Sequence, residues 1–507
     1  MAMVVQHNMQ AMNSNRVLGG TTAAQAKATE KLSSGFRINR AADDAAGLTI
    51  SEKMRKQIRG LGRASKNAQD GISAVQTAEG ALTEVHSMLH RMEELSTQAA
   101  NGTNSKKDRD AIQSEISQLT TEIDRVSETT MFNETYLLKG DHTKPEKQKY
   151  LSAHDAGLEG TLVDNGDGTA TFTMNKLSVG DQVKIGGKDY IIGGTKEEVQ
   201  KAVNKALTNK DAVYANPTPG DVLTVNGVKY TYCDAGKNAA GAPTKAGFYT
   251  LSPTATQETA GREVGAMFVE GSDITANGKT FHILDDKADA AKGKKSDGID
   301  DNNTSIISAS EAYVLAEKEL KVANSIGDTE SHVKVGYMDG NDLKPHELNK
   351  PAQDKDPNKF TINVALTKVP ETLSFNLHVG ADADMSNKIG ISIDAMNSNF
   401  LGIKGLNVSD DSGMAATYAI DAIGDALSRV SAQRSSLGAI QNRLEHTISN
   451  LDNITENTTA AESRIRDTDM AAEMVEYSKN NILKQAGTSM LAQANQSTQS
   501  VMTLLQG

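Results

Sequence analysis

The stretch 61–92, LGRASKNAQDGISAVQTAEGALTEVHSMLHRM, carries a regular pattern of apolar and small residues. Apolar or small residues recur in it at alternating steps of three and four: Leu61, Ala64, Ala68, Gly71, Val75, Ala78, Leu82, Val85, Leu89 and Met92. This spacing is the coiled-coil period, and it predicts a long helix with one narrow apolar stripe. Because such a helix leaves its stripe unburied when alone, it needs partner helices.

Two further runs of the chain supply such partners. Their stripes are Ile112, Ile116, Leu119, Ile123 and Val126 in one run, and Ile420, Ile423, Leu427, Val430, Leu437, Leu444, Ile448 and Leu451 in the other. Arg434 and Gln441 interrupt the second stripe at seam positions. The economical arrangement packs the N-terminal helices against the C-terminal one and brings the two ends of the chain together.

The middle of the chain has a different character. All nine prolines lie between Pro145 and Pro370, and proline breaks helix interiors. Three segments, GDQVKIGGKDYII, GDVLTVNGVKYTY and GSDITANGKTFHI, place strand formers on both sides of a Gly-Gly or Asn-Gly pair, which predicts three β-hairpins. The predicted fold is therefore multidomain α+β: long α-helical coiled-coil arms from both termini pack together, with a β-rich inserted outer domain of one or two subdomains.

Two helices are predicted inside this insert. Thr195 is followed three residues later by Glu198, and Ser308 is followed three residues later by Glu311. Each pair matches the capping box, in which the hydroxyl and the carboxylate satisfy each other's backbone N–H groups at a helix start.

Composition excludes several classes of protein. The net charge of -12 over 507 residues argues against a general nucleic-acid binder, and no segment approaches the length of a membrane span. Cys233 is the only cysteine, so no intramolecular disulfide can form. We expect Cys233 to be a small, partly buried side chain. The N-terminus lacks the pattern of a classical signal peptide.

The outermost arms, residues 1–32 and 468–507, are rich in Gln, Asn, Ala, Ser and Met. A helix this polar gains little from folding in isolation. We therefore expect both arms to stay disordered until a partner buries them.

No candidate for catalysis or metal binding is well supported by the sequence. His86 and His90 have the spacing of two helical ligands, but Ser87 replaces the general-base Glu of the HExxH motif. The turn at Asp164–Gly168 resembles the start of a calcium loop that lacks its final Glu, since that position is Asn175. The sequence thus predicts no enzyme, no metal site and no cofactor.

The stretch SSGFRINRAADDAAGL, residues 33–48, sets four charges among small residues: Arg37, Arg40, Asp43 and Asp44. A catalytic cluster, a solvated charged turn and a subunit contact are all consistent with this pattern.

Both arms resemble those of bacterial flagellin. The N-terminal match includes KLSSGFRINRAADDAAGLTISEKMR and ASKNAQDGISAVQTAEGAL, and the C-terminal match runs from SSLGAIQNRLEHTISNLDN to the closing LLQG. SFNLHVGADADMSNKIGISIDAM is similar to the family's short β element. The match covers residues 1–140 and about 373–507, whereas the insert, about residues 141–370, resembles no family that we recognise.

This resemblance implies a structural subunit that polymerises into the extracellular flagellar filament for swimming motility. It implies a filament-core domain with a spoke at 1–44 and 462–507, a coiled-coil shaft with a short β element at 45–140 and 371–461, and a surface-exposed insert at 141–370. Arg37, Arg40, Asp43 and Asp44 would lie in the spoke and act in subunit packing.

The resemblance also implies partners. They are further copies of the chain, a flagellar export chaperone at the C-terminal helix, and the filament cap and hook-junction proteins, with export by the flagellar secretion system. A host innate immune receptor, Toll-like receptor 5, would bind the shaft at the positions that match its known contacts: Arg91, Leu95 and Glu115. His90 and Glu93 depart from the family's pattern beside them. Neither nucleic acid nor membrane is an expected partner.

Two alternatives stay open at this point. The ends of flagellin are shared by the proteins that join the hook to the filament, so the alternative interpretation is that the chain is a hook–filament junction protein. A further hypothesis is that the insert has an adhesive role.

Overall fold

The computed structural model describes residues 8–208, 222–233, 247–250, 268–287, 296–339, 342–348 and 356–506. The helices in these ranges are α1 Met9–Ser34, α2 Ala45–Ala100, α3 Lys106–Thr129, α4 Lys196–Thr208, α5 Ala309–Asn324, α6 Ser398–Leu401, α7 Met414–Arg466 and α8 Met470–Gln506. None of them carries a stretch long and apolar enough to cross a membrane, within the described residues.

The strands fall mainly in the middle of the chain. They are β1 Met131–Phe132, β2 Thr135–Tyr136, β3 Lys147–Tyr150, β4 Gly160–Asp164, β5 Thr169–Met174, β6 Gln182–Ile185, β7 Lys188–Gly193, β8 Val222–Val225, β9 Val228–Cys233, β10 Gly247–Thr250, β11 Asp273–Ala276, β12 Lys279–His282, β13 Ile306–Ser308, β14 Lys334–Asp339, β15 Asp342–Lys344, β16 Lys359–Asn363, β17 Leu366–Val369, β18 Leu373–His378 and β19 Lys388–Ile393.

The predicted apolar stripe of α2 is confirmed. All ten of its residues between Leu61 and Met92 are buried. On α3, Ile112, Ile116 and Ile123 are buried, while Leu119 and Val126 are half-buried. The periodicity alone therefore identified the inward faces of these helices.

The chain divides into two compact units. The first comprises Met1–Gln76, Ser374–Ile391 and Leu437–Gly507. In it, α1 packs against α8, and the first part of α2 packs against the later part of α7 and the β18–β19 pair. Gly71 permits the close approach of this pair, because a Cβ at that position would collide with Leu377. The prediction that the two terminal arms pack together is confirmed.

The second unit comprises Thr77–Leu373 and Ser392–Ser436, and it contains the insert. The antiparallel sheet β15-β14-β16-β5-β4 packs its Phe172 and Phe360 against Tyr313 of α5. A separate core forms where Val199 of α4 meets Phe281 of the sheet β10-β9-β8-β11-β12. The first core also contains buried residues of the three-stranded sheet β13-β7-β6 and of α7, so it joins more elements than the second.

All three predicted hairpins are present, as β6–β7, β8–β9 and β11–β12. In the second, Asn226 and Gly227 have φ of +50° and +82°. Positive φ at both positions defines the type I′ turn, whose twist matches that of the strands. Cys233 ends β9, and its side chain lies outside the described residues, so the expectation of partial burial stays a prediction.

The two predicted helix starts differ. At α4 the capping box is complete, since Glu198 accepts from Thr195 N and Thr195 Oγ1 accepts from Glu198 N. At α5 only half of it forms. Ser308 Oγ accepts from Glu311 N, but the carboxylate of Glu311 does not return to Ser308, whose N–H donates to Gly298 instead.

Candidate functional site

The connection between α1 and α2 is held by the opposite arm of the chain. Gly35 ends α1 with φ of +74°, and its carbonyl accepts from Thr468 N at 3.0 Å. Arg37 N donates to Arg466 O at 2.7 Å, and the Arg37 guanidinium reaches the carbonyl of Ile465. Arg37 therefore anchors the connection to the end of α7 through main-chain contacts.

A stack of charged side chains surrounds Phe36, and the sequence alone did not indicate it. The guanidinium carbons of Arg55 and Arg466 lie 5.1 and 5.0 Å from the centre of the Phe36 ring. Each arginine also meets a carboxylate: Arg55 pairs with Glu462 at 3.0 Å and Arg466 pairs with Glu52 at 2.5 Å. This combination of cation–π and ionic contacts joins α2 to α7 beside the connection.

The two aspartates of the connection have different local roles. Asp43 faces Lys27 of α1, whereas Asp44 accepts from Gly47 N at 2.9 Å and thereby caps the start of α2. Arg40 pairs with Glu30 at 2.9 Å, and its side chain is 74% exposed. The structure therefore gives Asp43 and Asp44 partners within one chain and leaves Arg40 mainly on the surface.

The outer helices meet through a polar seam. Asn8 donates to Ala494 O at 3.0 Å, and Lys31 pairs with Glu473 at 3.2 Å. Ala28 is the one fully buried residue of α1 among those described. Little apolar area is therefore buried between α1 and α8.

Large apolar side chains lie instead on the solvent side of these helices. On α8, Val475 is 70% exposed and Ile482, seven residues later, is 66% exposed. Further exposed apolar side chains on the two helices are Met9, Met12, Val17, Met470, Met474, Leu483 and Met490. We call this set the outer apolar face. Monomeric proteins rarely leave such a concentration uncovered, so it marks an interaction surface.

The three receptor candidates occupy two different environments. Arg91 on α2 pairs with Glu115 on α3 at 2.9 Å, and both side chains are about half exposed. Leu95 is only 3% exposed. Arg91 and Glu115 thus form a surface pair, whereas Leu95 packs below the surface and offers a partner almost no area.

Of the residues that the sequence suggested as metal ligands, only His86 and His90 lie next to each other. His86 and His90 are adjacent on α2, with their Nε2 atoms 3.1 Å apart. The Asp164 turn joins β4 to β5 as a tight hairpin. Across the described ranges, no group of three or more His, Cys, Asp or Glu side chains is placed to hold a metal ion.

Both arms of the chain match family models of known proteins. Residues 5–143 match the bacterial flagellin N-terminal helical region, and residues 420–505 match the bacterial flagellin C-terminal helical region. Of the solved structures, the flagellar hook associated protein-3 of Legionella pneumophila is 13% identical, with a TM-score of 0.31, over 82% of this chain and 98% of that chain.

Relatives at full length extend the assignment to the whole chain. A flagellin of Clostridium tyrobutyricum is 36% identical over 98% of this chain and 100% of its own length. A flagellin of Salmonella choleraesuis strain SC-B67 is 33% identical over the full length of both. On this evidence the chain belongs to the bacterial flagellin family.

Proposed function

We propose that this protein is the structural subunit of a bacterial flagellar filament, which it forms by polymerisation for swimming motility. The observation that carries the proposal is the outer apolar face of α1 and α8, which a single chain leaves in water. Further copies of the same chain cover it in the polymer. The full-length relatives are flagellins, which favours a filament subunit over a hook–filament junction protein.

The domain organisation follows from this role. Residues 1–44 and 462–507 form the filament core and the spoke, residues 45–140 and 371–461 form the shaft, and residues 141–370 form the insert that projects outward. The boundary between 461 and 462 falls inside the single helix α7. The boundary therefore separates residues by their proposed place in the filament, core or shaft, and not by the end of a helix.

The four charged residues of the spoke have different roles. Asp43 and Asp44 set the local conformation, as their intrachain partners indicate. The exposed head group of Arg40 contacts a neighbouring subunit, and Arg37 fixes the connection from which Arg40 projects. Such charges define the register between copies where apolar contacts alone allow sliding.

The proposed location is the extracellular filament, reached through the flagellar secretion system. During export a chaperone covers α8, whose exposed apolar side chains need protection from aggregation before assembly. In the assembled organelle the chain also contacts the filament cap and the hook-junction proteins at the two ends of the filament.

We further propose that a host receptor of the Toll-like receptor 5 type binds the shaft at the Arg91–Glu115 pair. The half-exposed guanidinium and carboxylate provide a donor and an acceptor on the surface. Leu95, packed below, holds α2 in position. Glu93 adds a negative charge next to Arg91, and His90 binds it at 3.2 Å.

Electron microscopy of the polymerised protein tests the filament role. We expect long helical filaments when purified monomer is seeded with filament fragments. Monomer that stays unpolymerised under conditions that polymerise a known flagellin would contradict the proposal.

A further inference from the structure

The imidazoles of His86 and His90 face each other on the surface of α2. Their Nε2 atoms are 3.1 Å apart, and the ring planes are nearly perpendicular, at 87°. Two nitrogens that each lie about 2.0–2.1 Å from one zinc ion, and 3.1 Å from each other, subtend an angle of roughly 100° at the metal. That angle falls within the range of tetrahedral and square coordination.

The second nitrogen of His90 is oriented as in known metal sites. His90 Nδ1 lies 3.2 Å from Glu93 Oε2. When Nδ1 carries the proton and donates it to this carboxylate, the lone pair of Nε2 points toward His86. An imidazole held by a carboxylate in this way is the usual outer partner of a metal-binding histidine.

The two imidazoles differ in their exposure to solvent. His86 is half-buried. His90 is exposed, which leaves the pair open to solvent.

We propose that His86 and His90 form a two-histidine site for an imidazole-binding divalent transition metal, with water completing the coordination. By the general order of affinities, Cu²⁺ binds most tightly, ahead of Ni²⁺ and Zn²⁺. The site adjoins the proposed receptor contact, because His90 and Glu93 flank Arg91 on α2.

Two features of the surroundings set the affinity. When His90 carries its proton on Nδ1, the metal-free hydrogen bond runs from His86 Nε2–H to His90 Nε2. Metal binding then moves the His86 proton to Nδ1, which is buried without a partner. Arg434 of α7 also places a positive charge near His86, and Glu79 offsets it only partly from 3.6 Å. Both effects predict a moderate affinity, weaker than that of a site with three or four protein ligands.

The test is equilibrium dialysis of the full-length monomer against CuCl2, NiCl2 and ZnCl2 at neutral pH. His90→Ala removes an exposed side chain and should abolish the tightest site, and His86→Ala should do the same. Glu93→Gln should weaken it by about tenfold. His142→Ala, at another exposed histidine, is the matched control and should bind as the wild type does.

Spectroscopy with Cu²⁺ adds a readout that does not depend on affinity. The electron paramagnetic resonance spectrum of the wild type should show two equatorial imidazole nitrogens, and that of His90→Ala should lose one. Equal binding by the wild type and His90→Ala would overturn the proposal and reduce the pair to a hydrogen bond between two histidines.

Discussion

The carboxylate of Asp43 lies 2.9 Å from Lys27 Nζ, so the connection between α1 and α2 folds back onto α1. The same carboxylate accepts the backbone N–H groups of Asn39 and Arg40 at 3.1 and 3.0 Å. The hydrogen bond from Lys27, followed by these two, lowers the pKa of Asp43 to about 2. The stabilisation is therefore complete above the ordinary carboxyl pKa, near 3.9, and is lost as the pH falls through about 2.

Because Asp43 has partners within its own chain, reversing the charges of Asp43 and Asp44 should affect the monomer as well as the polymer. Replacing both Asp43 and Asp44 with Lys removes the Lys27 partner and the cap of α2, and lost caps cost about 1 kcal/mol. We expect a modest fall in the melting temperature of the monomer. We expect a much larger rise in the concentration of unpolymerised protein at equilibrium, because the altered connection no longer holds Arg40 at its proposed contact with the neighbouring subunit, and every subunit of the filament carries this defect.

The control is Asp43→Asn with Asp44→Ser, which removes the charges but keeps hydrogen-bond acceptors at both positions. We expect it to melt near the wild type. An unchanged equilibrium concentration for the lysine variant would show that the aspartates serve only the fold of one chain.

The outer helices should be the first part of the monomer to be digested. α1 buries one residue fully among those described, and its contact with α8 is a polar seam. Such segments open at low free-energy cost. Limited proteolysis should trim about residues 1–40 and the last 40 before it cuts the stripe of α2. Mass spectrometry of the fragments provides the measurement, and intact ends in a verified monomer would refute this expectation.

Glu311 should make the insert less stable at alkaline pH. Its side chain is buried, and burial, with a smaller effect of Asp297, raises its pKa to about 7. The contribution of the protonated carboxyl is therefore fully present below its ordinary pKa and is lost as the pH rises through about 7.

Glu311→Gln should remove this dependence, because the amide cannot ionise. Above pH 8 we expect the variant to be more stable than the wild type by about 2 kcal/mol, and near pH 5 we expect little difference. Denaturant unfolding across this pH range tests it. Glu159→Gln, at an exposed position, is the control, and parallel pH profiles for wild type and Glu311→Gln would contradict the prediction.

Reversing the charges of the exposed Arg91–Glu115 pair should reduce receptor activation without reducing the stability of the fold. Arg91→Glu combined with Glu115→Lys keeps an ion pair but inverts its direction. Because exposed pairs contribute about 0–1 kcal/mol, the melting temperature should barely change. Activation of reporter cells that carry Toll-like receptor 5 should fall at least tenfold. Inverting the Arg125–Glu122 pair of α3 is the matched control, and equal activity of all three proteins would remove the Arg91–Glu115 pair from the receptor contact.

Periodicity and turn chemistry were sufficient to predict most of the fold. The stripe from Leu61 to Met92 and the Asn226–Gly227 turn depend on neighbours within a few residues, which the sequence displays directly. The cluster around Phe36 could not be predicted, because Arg466 comes from the opposite arm of the chain. The burial of Leu95 likewise depends on packing between helices.

We infer that the outer apolar face of α1 and α8 drives polymerisation. Burying a Val or Ile side chain contributes about 1.5–3 kcal/mol, and each 1.4 kcal/mol is worth about tenfold in an equilibrium constant. Val475→Ser combined with Ile482→Ser should therefore raise the equilibrium concentration of unpolymerised protein by at least about tenfold. Val163→Ser with Val322→Ser, at exposed valines of the insert, is the control and should polymerise as the wild type does.

The most direct measurement is sedimentation of seeded polymerisation mixtures at equilibrium, with the soluble fraction quantified for all three proteins. Among the three proteins, only Val475→Ser with Ile482→Ser should leave a large soluble fraction. The same soluble fraction in the wild type and in this variant would show that the outer apolar face does not drive polymerisation.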